Sequence, residues 1–158
     1  MAINESPAET GVSEITGKRV TVRHATEADM PFIEEKIHRY GFDDHNLNHR
    51  QFVVAAENGA IIGFGRLQQI GELYHIGCVA VVEERRGMGI GSLIMQHLLD
   101  IAPVDMVYVL TDQVDYFRKF GFSEMETGSK ELFDDLDSAC KAADKQHRVL
   151  MVHEKRAR

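Results

Sequence analysis

The stretch Arg85-Arg86-Gly87-Met88-Gly89-Ile90-Gly91-Ser92 follows an apolar, strand-like run and leads directly into an amphipathic helical pattern. Its three glycines stand at alternate positions, so the backbone can turn tightly and approach a ligand with no Cβ in the way. The first-turn N–H groups of the following helix and the positive end of its dipole favour an anion there. The stretch therefore predicts a phosphate-binding loop, with a purely structural turn as the alternative.

The spacing of these glycines excludes two common phosphate loops. A dinucleotide fingerprint needs Gly-x-Gly-x-x-Gly, and a Walker loop needs Gly-Lys-Ser/Thr after a first glycine and four residues. Read from Arg86 to Gly91, the loop has the form Arg/Gln-x-x-Gly-x-Gly/Ala and resembles the acetyl-CoA pyrophosphate loop of the GNAT acetyltransferase superfamily. Further along, Tyr116-Phe-Arg-Lys-Phe-Gly-Phe122 is similar to a second GNAT motif, Phe-Tyr-x-Lys-x-Gly-Phe.

Strand and helix patterns surround the two motifs in the order that this family has. Asn58-Gly59 is a strong hairpin signal between two of the strands, and Gly41 marks a helix end. The predicted strands are Lys18 to His24, Gln51 to Glu57, Ala60 to Gln69, Leu73 to Val82, Met106 to Leu110 and Arg148 to His153; the predicted helices are Met30 to Tyr40, Gly91 to Ala102, a short one before Phe122, and Glu131 to Ala143. The resemblance implies an α/β (α+β) fold with a mixed, mostly antiparallel central sheet of about six to seven strands, helices on both faces and a β-loop-α pyrophosphate site.

Length and composition indicate one domain. The chain has 158 residues, a net charge of −7 and two cysteines that fit no metal-ligand spacing. Residues 1–17 are polar and without period, so we expect a flexible leader followed by a single N-acetyltransferase domain over 18–158. The acidic balance, the lack of a long apolar run and the lack of a secretory signal argue against nucleic-acid and membrane partners and favour a cytoplasmic location.

The resemblance implies that acetyl-CoA is the cosubstrate of an acyltransferase. Carried onto this chain, the family's pyrophosphate loop corresponds to Arg86, Gly87, Met88, Gly89, Ile90, Gly91 and Ser92. The family's strand before the loop offers backbone hydrogen bonds to the pantetheine arm, which here means Val79, Ala80 and Val81. Phe117 of the second motif completes the predicted cofactor-binding set.

Two residues are predicted to be catalytic. His75 stands where the family often has a glutamate base, and a neutral imidazole is a competent base at physiological pH. A half-buried histidine bonded to a neighbour is the alternative, and Glu72 is the second candidate for the base. Many GNAT enzymes have a tyrosine acid where this chain has Phe117, so either Tyr116 protonates the leaving thiolate or the thiolate leaves to solvent.

The acceptor is expected to be a primary amine of a small molecule. The second motif and the late helix resemble short N-acetylglutamate synthase-like chains, which implies a carboxylate-bearing acceptor such as glutamate. Arg66 and Arg50 are the candidate carboxylate partners, with a solvated surface charge as the alternative for each. A protein acetyltransferase and a non-catalytic acyl-CoA sensor are the competing functions, and a homodimer is left open.

A metal site is not expected. His45 and His49 have the i, i+4 spacing that would place two imidazoles on one helix face, with Asp43 or Asp44 nearby. No glutamate follows the first histidine, so the pair does not match the helical zinc motif.

Overall fold

The computed structural model describes residues 9–15, 18–125, 132, 134 and 148–155. The strands are β1 (Glu9–Ile15), β2 (Lys18–His24), β3 (Phe52–Glu57), β4 (Ala60–Ile70), β5 (Leu73–Val81), β6 (Met106–Thr111), β7 (Ser123–Glu124) and β8 (Val149–Glu154). The helices are α1 (Met30–Tyr40), α2 (Ile90–Ile101) and α3 (Val114–Arg118). Within these residues, no helix has the length and apolar character that crossing a lipid bilayer requires.

The strands form one mixed sheet in the order β1-β2-β3-β4-β5-β6-β8-β7. Of the neighbouring pairs in the described residues, only β5 and β6 are parallel, and α2 connects them. This crossover places the turn after β5 and the start of α2 at the carboxyl end of β5, where α/β sheets bind ligands. The predicted mixed, mostly antiparallel sheet is confirmed, with one strand more than expected.

Two strands are absent from the predicted list, β1 and the short β7, and β1 lies in the segment that the sequence analysis took for a flexible leader. Glu9–Ile15 pairs with β2 in antiparallel register, so the prediction is wrong for these seven residues. Their mixed composition carries no clear alternation, and the pairing with β2 is a tertiary contact that no local pattern encodes. Of the predicted late helix Glu131 to Ala143, only Leu132 and Asp134 are described, and both are helical.

Local signals place α1 and the β3–β4 hairpin where they were predicted. Gly41 ends α1 with φ +70°, a left-handed conformation that glycine adopts without strain. Asn58 and Gly59 both have positive φ, as the tight two-residue hairpin turn requires.

The helices α1 and α2 cover opposite faces of the sheet. Every residue of β3 is buried, and alternate side chains enter two separate cores. Val53 and Ala55 belong to the core that contains Ile94 and Leu98 of α2. Phe52 and Val54 belong to the core that contains Ile33 and Ile37 of α1. A strand covered on both faces sits at the centre of a three-layer domain.

Two glycines of β4 let α2 approach the sheet closely. A Cβ on Gly63 would lie 2.9 Å from a methyl carbon of Ile94, and a Cβ on Gly65 would lie 2.7 Å from side-chain carbons of both Ile94 and Leu98. Any larger residue would push the helix off the sheet. The contact fixes α2, and with it the predicted phosphate-binding loop, relative to β4 and β5.

Candidate active site

A cleft opens where β5 and β6 separate. Their parallel pairing is limited to Tyr74 with Val107 and His75 with Tyr108. Beyond His75 the strands diverge, and a cavity of about 560 Å³ lies between and beside them. Residues 75–81 line one side of the cavity, and 109–113 line the other.

A bulge in β5 contributes to this separation. Phe64 pairs with Ala80 and Arg66 pairs with Gly77, so two steps on β4 face three on β5. The additional residue lies at Cys78–Val79, where Cys78 has φ +55°. A non-glycine residue in this region is strained, and such strain concentrates at functional sites. The Cys78 thiol donates to the carbonyl of Asp43, 3.7 Å away, and lines the cleft.

One backbone edge of β5 faces the cleft at Val79, Ala80 and Val81. On the other edge, Ala80 pairs with Phe64 and Val81 with Gly63 of β4. Since β6 has already diverged, no strand among the described residues pairs with the cleft edge, where Arg86 Nε donates to the carbonyl of Val81. Main-chain donors and acceptors on this edge are therefore placed to bind an extended ligand.

The predicted phosphate-binding loop has the backbone of an anion cradle. Gly87 and Gly89 have φ of +79° and +84°, which only glycine adopts without strain. Gly89 is the N-cap of α2, and it has no side chain that could occupy the first-turn N–H groups. The N–H groups of Ile90, Gly91 and Ser92 therefore have no partner within the helix, and they meet the cleft at Gly91.

Two arginines hold this loop. Arg85 makes a bidentate pair with the buried carboxylate of Glu57, at 2.8 and 3.1 Å, which joins the loop to the end of β3. Arg86 donates from Nε to the carbonyl of Val81 at 2.9 Å and stacks over Tyr40, with its guanidinium carbon 5.5 Å from the ring centroid. The guanidinium of Arg86 is exposed and lines the cleft, so it brings a positive charge to the cradle.

His75 lies inside the cleft at the point where the strands part. It is 5% exposed, and its Nε2 lies 3.1 Å from Oε1 of Gln68, the residue opposite it on β4. Burial lowers the pKa of His75 to about 4, assisted by the positive charges of Arg66 and Arg148 and opposed by a backbone hydrogen bond at Ile76 and by Asp43. The ring is therefore neutral at physiological pH. The contact with Gln68 orients the ring, and which partner donates in it depends on the ring tautomer.

Arg66 is neither a solvated charge nor open to a ligand. It is 1% exposed and makes five hydrogen bonds, one for each N–H that a guanidinium carries. The acceptors are Gln51 Oε1 at 2.8 Å, Asp43 Oδ2 at 3.3 Å, and the carbonyls of Asp43, His45 and Asn46. Arg66 thus fixes the segment after α1 as one wall of the cleft. Arg50 is exposed in the turn before β3 and does not line the cleft.

The segment after α1 does not form the helix that was considered for the histidine pair. Asn46 has φ +53°, and His49 opens a separate 3₁₀ turn, His49–Gln51. His45 and His49 therefore do not share a helix face. Nδ1 of His45 instead lies 2.9 Å from Oδ1 of Asp43, which also contacts Arg66.

Tyr116 and Phe117 approach the cleft from α3. Both line it, and Phe117 is buried against Phe122. The Tyr116 hydroxyl points to Gly91, at the start of α2, and burial raises the pKa of this hydroxyl. Eight of the predicted catalytic and cofactor-binding residues line one cleft: His75, Val79, Ala80, Val81, Arg86, Gly91, Tyr116 and Phe117. Gly87, Met88, Gly89 and Ser92 are exposed outside this lining, and Ile90 is buried in the core. Glu72 is exposed in the turn between β4 and β5 and is not part of the lining.

Sequence reasoning missed several lining residues, among them Asp43, Gln68, Cys78 and Arg148. Gln68 had the strongest available signal, because it lies opposite His75 when the Asn58-Gly59 hairpin and the next turn are extended in register. The others reach the cleft through tertiary packing or through a backbone conformation with no glycine to mark it.

Comparison with known proteins agrees with this geometry. Residues 20–122 match the Acetyltransferase (GNAT) family. The chain is 30% identical over 141 residues to an Amino-acid acetyltransferase of Mycobacterium tuberculosis (strain ATCC 25618 / H37Rv), with 80% of each chain covered. The chain therefore belongs to the GNAT family of acetyltransferases and is an acyltransferase with acetyl-CoA as its cosubstrate.

Solved structures share the fold. N-acetylglutamate synthase from Neisseria gonorrhoeae, complexed with coenzyme A and N-acetyl-glutamate, superposes with a TM-score of 0.70 at 19% identity; the match covers 87% of this chain and 35% of that one. This chain thus spans about a third of the Neisseria protein. A Mycobacterium tuberculosis protein in complex with CoA and NLQ gives a TM-score of 0.67 at 25% identity, covering 84% of this chain and 98% of that one.

The residues present fit acetyl-CoA. The loop from Arg86 to Ser92 offers main-chain N–H groups, a helix dipole and an exposed guanidinium to a diphosphate. Where β5 and β6 separate, the β5 edge, which pairs with no described strand there, offers main-chain groups to an extended arm. The cleft continues past His75 and leaves room for a second substrate.

Proposed function

We propose that this acetyltransferase acetylates the amino group of a small amino acid. The observation that carries the proposal is the set of charges around His75 in the cleft. Arg148 lines the cleft and lowers the pKa of His75, whereas Asp43 lines it and raises that pKa. Asp43 is already paired with Arg66, whereas Arg148 adds a positive charge to the lining, which suits the carboxylate of an amino acid.

The relatives support an acceptor of this class. The 30% identical relative is named an amino-acid acetyltransferase, and the Neisseria synthase was solved with N-acetyl-glutamate. Arg148 replaces Arg66 as the candidate carboxylate partner, because all five N–H groups of Arg66 are already engaged. An arginine suits this role because its planar fork binds a carboxylate through two parallel hydrogen bonds.

His75 is the proposed general base. Acetyl-CoA supplies an acetyl group activated as a thioester, which a neutral amine can attack. The neutral imidazole has one unprotonated nitrogen, which can accept a proton from the acceptor ammonium directly or through a water molecule. The low pKa keeps the ring unprotonated at physiological pH, and it also makes His75 a weaker base than a free imidazole, so proton transfer is favoured only when the bound ammonium has a lowered pKa of its own.

The deciding experiment follows the release of CoA thiol over a panel of acceptors: glutamate, glutamine, other free amino acids, a polyamine and a lysine peptide. We expect turnover with free amino acids. His75→Ala should lower kcat by about two to four orders of magnitude and leave the affinity for acetyl-CoA intact. If amines without a carboxylate react as well as amino acids, the acceptor is a general amine; if only the peptide reacts, the protein is a protein acetyltransferase.

Arg148 is tested by a matched pair of variants. Arg148→Met should raise KM for the amino acid by about tenfold to a hundredfold, since a hydrogen bond to a charged group contributes about 1.5–3 kcal/mol. Arg50→Met removes an arginine outside the cleft and should leave KM unchanged. Equal effects of the two variants would remove Arg148 from the acceptor site.

A further inference from the structure

Tyr116 occupies a place in the cleft that the proposed acid role does not explain. Its hydroxyl lies 3.0 Å from the position that a Cβ on Gly91 would take. Gly91 is the second residue of α2, so the hydroxyl lies on the first turn of that helix. This is the phosphate-loop end of the cleft, whereas His75 lies where the strands begin to part.

The ring of Tyr116 is held rigidly in this position. It makes edge contacts with Phe117 and Phe120, each with ring centroids 5.2 Å apart. Burial raises the pKa of its hydroxyl, so the group keeps its proton at physiological pH and is available as a donor. Among the residues that the structure describes, the hydroxyl has no hydrogen-bond partner, although the side chain is partly buried.

The start of α2, next to this hydroxyl, also has N–H groups without a hydrogen-bond partner in the helix. The N-cap Gly89 provides no side-chain acceptor for the first-turn N–H groups of α2, and Gly91, next to the hydroxyl, belongs to this turn. Several donors that converge without an acceptor favour an anion. The exposed guanidinium of Arg86 adds a positive charge at the same end.

We propose that the Tyr116 hydroxyl donates a hydrogen bond to the diphosphate of coenzyme A, and that Tyr116 is a cofactor-binding residue and not the acid that protonates the leaving thiolate. The missing side chain of Gly91 makes room for this hydroxyl, because a methyl group there would displace the oxygen by a few tenths of an ångström. The assignment rests on the use of acetyl-CoA and is independent of the acceptor.

Calorimetric titration with CoA tests the assignment without turnover. Tyr116→Phe removes the hydroxyl and keeps the ring packing, so we expect CoA to bind about tenfold more weakly, the loss of one hydrogen bond to a charged group. Tyr74→Phe is the matched control, since the Tyr74 hydroxyl bonds Gln69 and lies outside the cleft lining. Circular dichroism and thermal melting verify that both variants are folded.

Two further measurements locate the hydrogen bond. In kinetics, Tyr116→Phe should raise KM for acetyl-CoA about tenfold at unchanged kcat, and should leave kcat/KM unchanged with S-acetylpantetheine, which has no diphosphate. Gly91→Ala should also weaken CoA binding in the native background, but should have little additional effect in Tyr116→Phe, because the displaced oxygen is gone.

Two results would overturn the assignment. A fall in kcat of a hundredfold or more, with unchanged CoA affinity, would return Tyr116 to the acid role. Unchanged CoA affinity with unchanged kcat would show that the hydroxyl contacts neither group. If no amino acid is acetylated, the proposed acceptor fails, but the calorimetric comparison still decides the role of Tyr116.

Discussion

Protonation of His75 should destabilise the folded protein in mild acid. Burial, with help from the charges of Arg66 and Arg148, lowers the pKa of His75 from 6.5 to about 4. As pH falls through this window, the unfolded chain binds a proton before the folded chain does, so the stability that is present above pH 6.5 is progressively lost. For a single group with these values, the loss between about pH 7 and about pH 5 is about 2 kcal/mol.

Urea unfolding of the wild type and of His75→Gln at the two pH values measures this loss. Glutamine does not titrate, so the variant should lose about 2 kcal/mol less than the wild type over the same interval. His97 and His153, whose pKa values are also lowered by burial, are present in both proteins and cancel in the comparison. His38→Gln, at an exposed histidine, controls for the loss of an imidazole. Parallel losses in the wild type and His75→Gln would refute the depressed pKa.

Two further predictions concern the loop and the cleft wall. Gly89→Val should abolish detectable CoA binding in calorimetry, because the left-handed backbone at this position costs a branched residue about 1–2 kcal/mol and the loop would rearrange. The control is Gly71→Val, at a positive φ outside the cleft, which should be strained equally but should bind CoA normally. Arg66→Met should lower the free energy of unfolding by about 3–5 kcal/mol, because it leaves the Asp43 carboxylate buried without its cation, and the addition of Asp43→Asn should restore part of that loss. Retained CoA affinity in Gly89→Val, or strictly additive losses in the double variant, would contradict these two expectations.

Local chemistry made much of the fold predictable. The bounds of β2 and α1 agree with the sequence because an alternating run and a capped apolar stripe are signals within the segment itself. The Asn58-Gly59 turn fixed the β3–β4 pairing for the same reason. The loop before α2 could be identified from the sequence because its positive φ angles, at positions 87 and 89, favour glycine, and the sequence shows those glycines.

The interior of the cleft could not be predicted in this way. The bulge in β5 places Cys78 at positive φ, where no glycine or asparagine signals it. Arg66 was expected to face either the acceptor or solvent, and its burial depends on carbonyl groups from a segment some twenty residues away. The separation of β5 from β6 is set by helix and strand packing across the whole sheet, so no short window of sequence contains it.

The strand edge at 79–81 and the glycine turn at the start of α2 present main-chain groups to the cleft. Main-chain N–H and C=O groups are the same in every residue except proline, so side chains along this strand can be exchanged over evolutionary time without loss of those contacts. Related chains can therefore drift far apart in sequence and keep the same coenzyme, provided that the few glycines persist. The proposed acceptor contacts come from side chains, such as that of Arg148, so we expect a single exchange there to be enough to change the substrate.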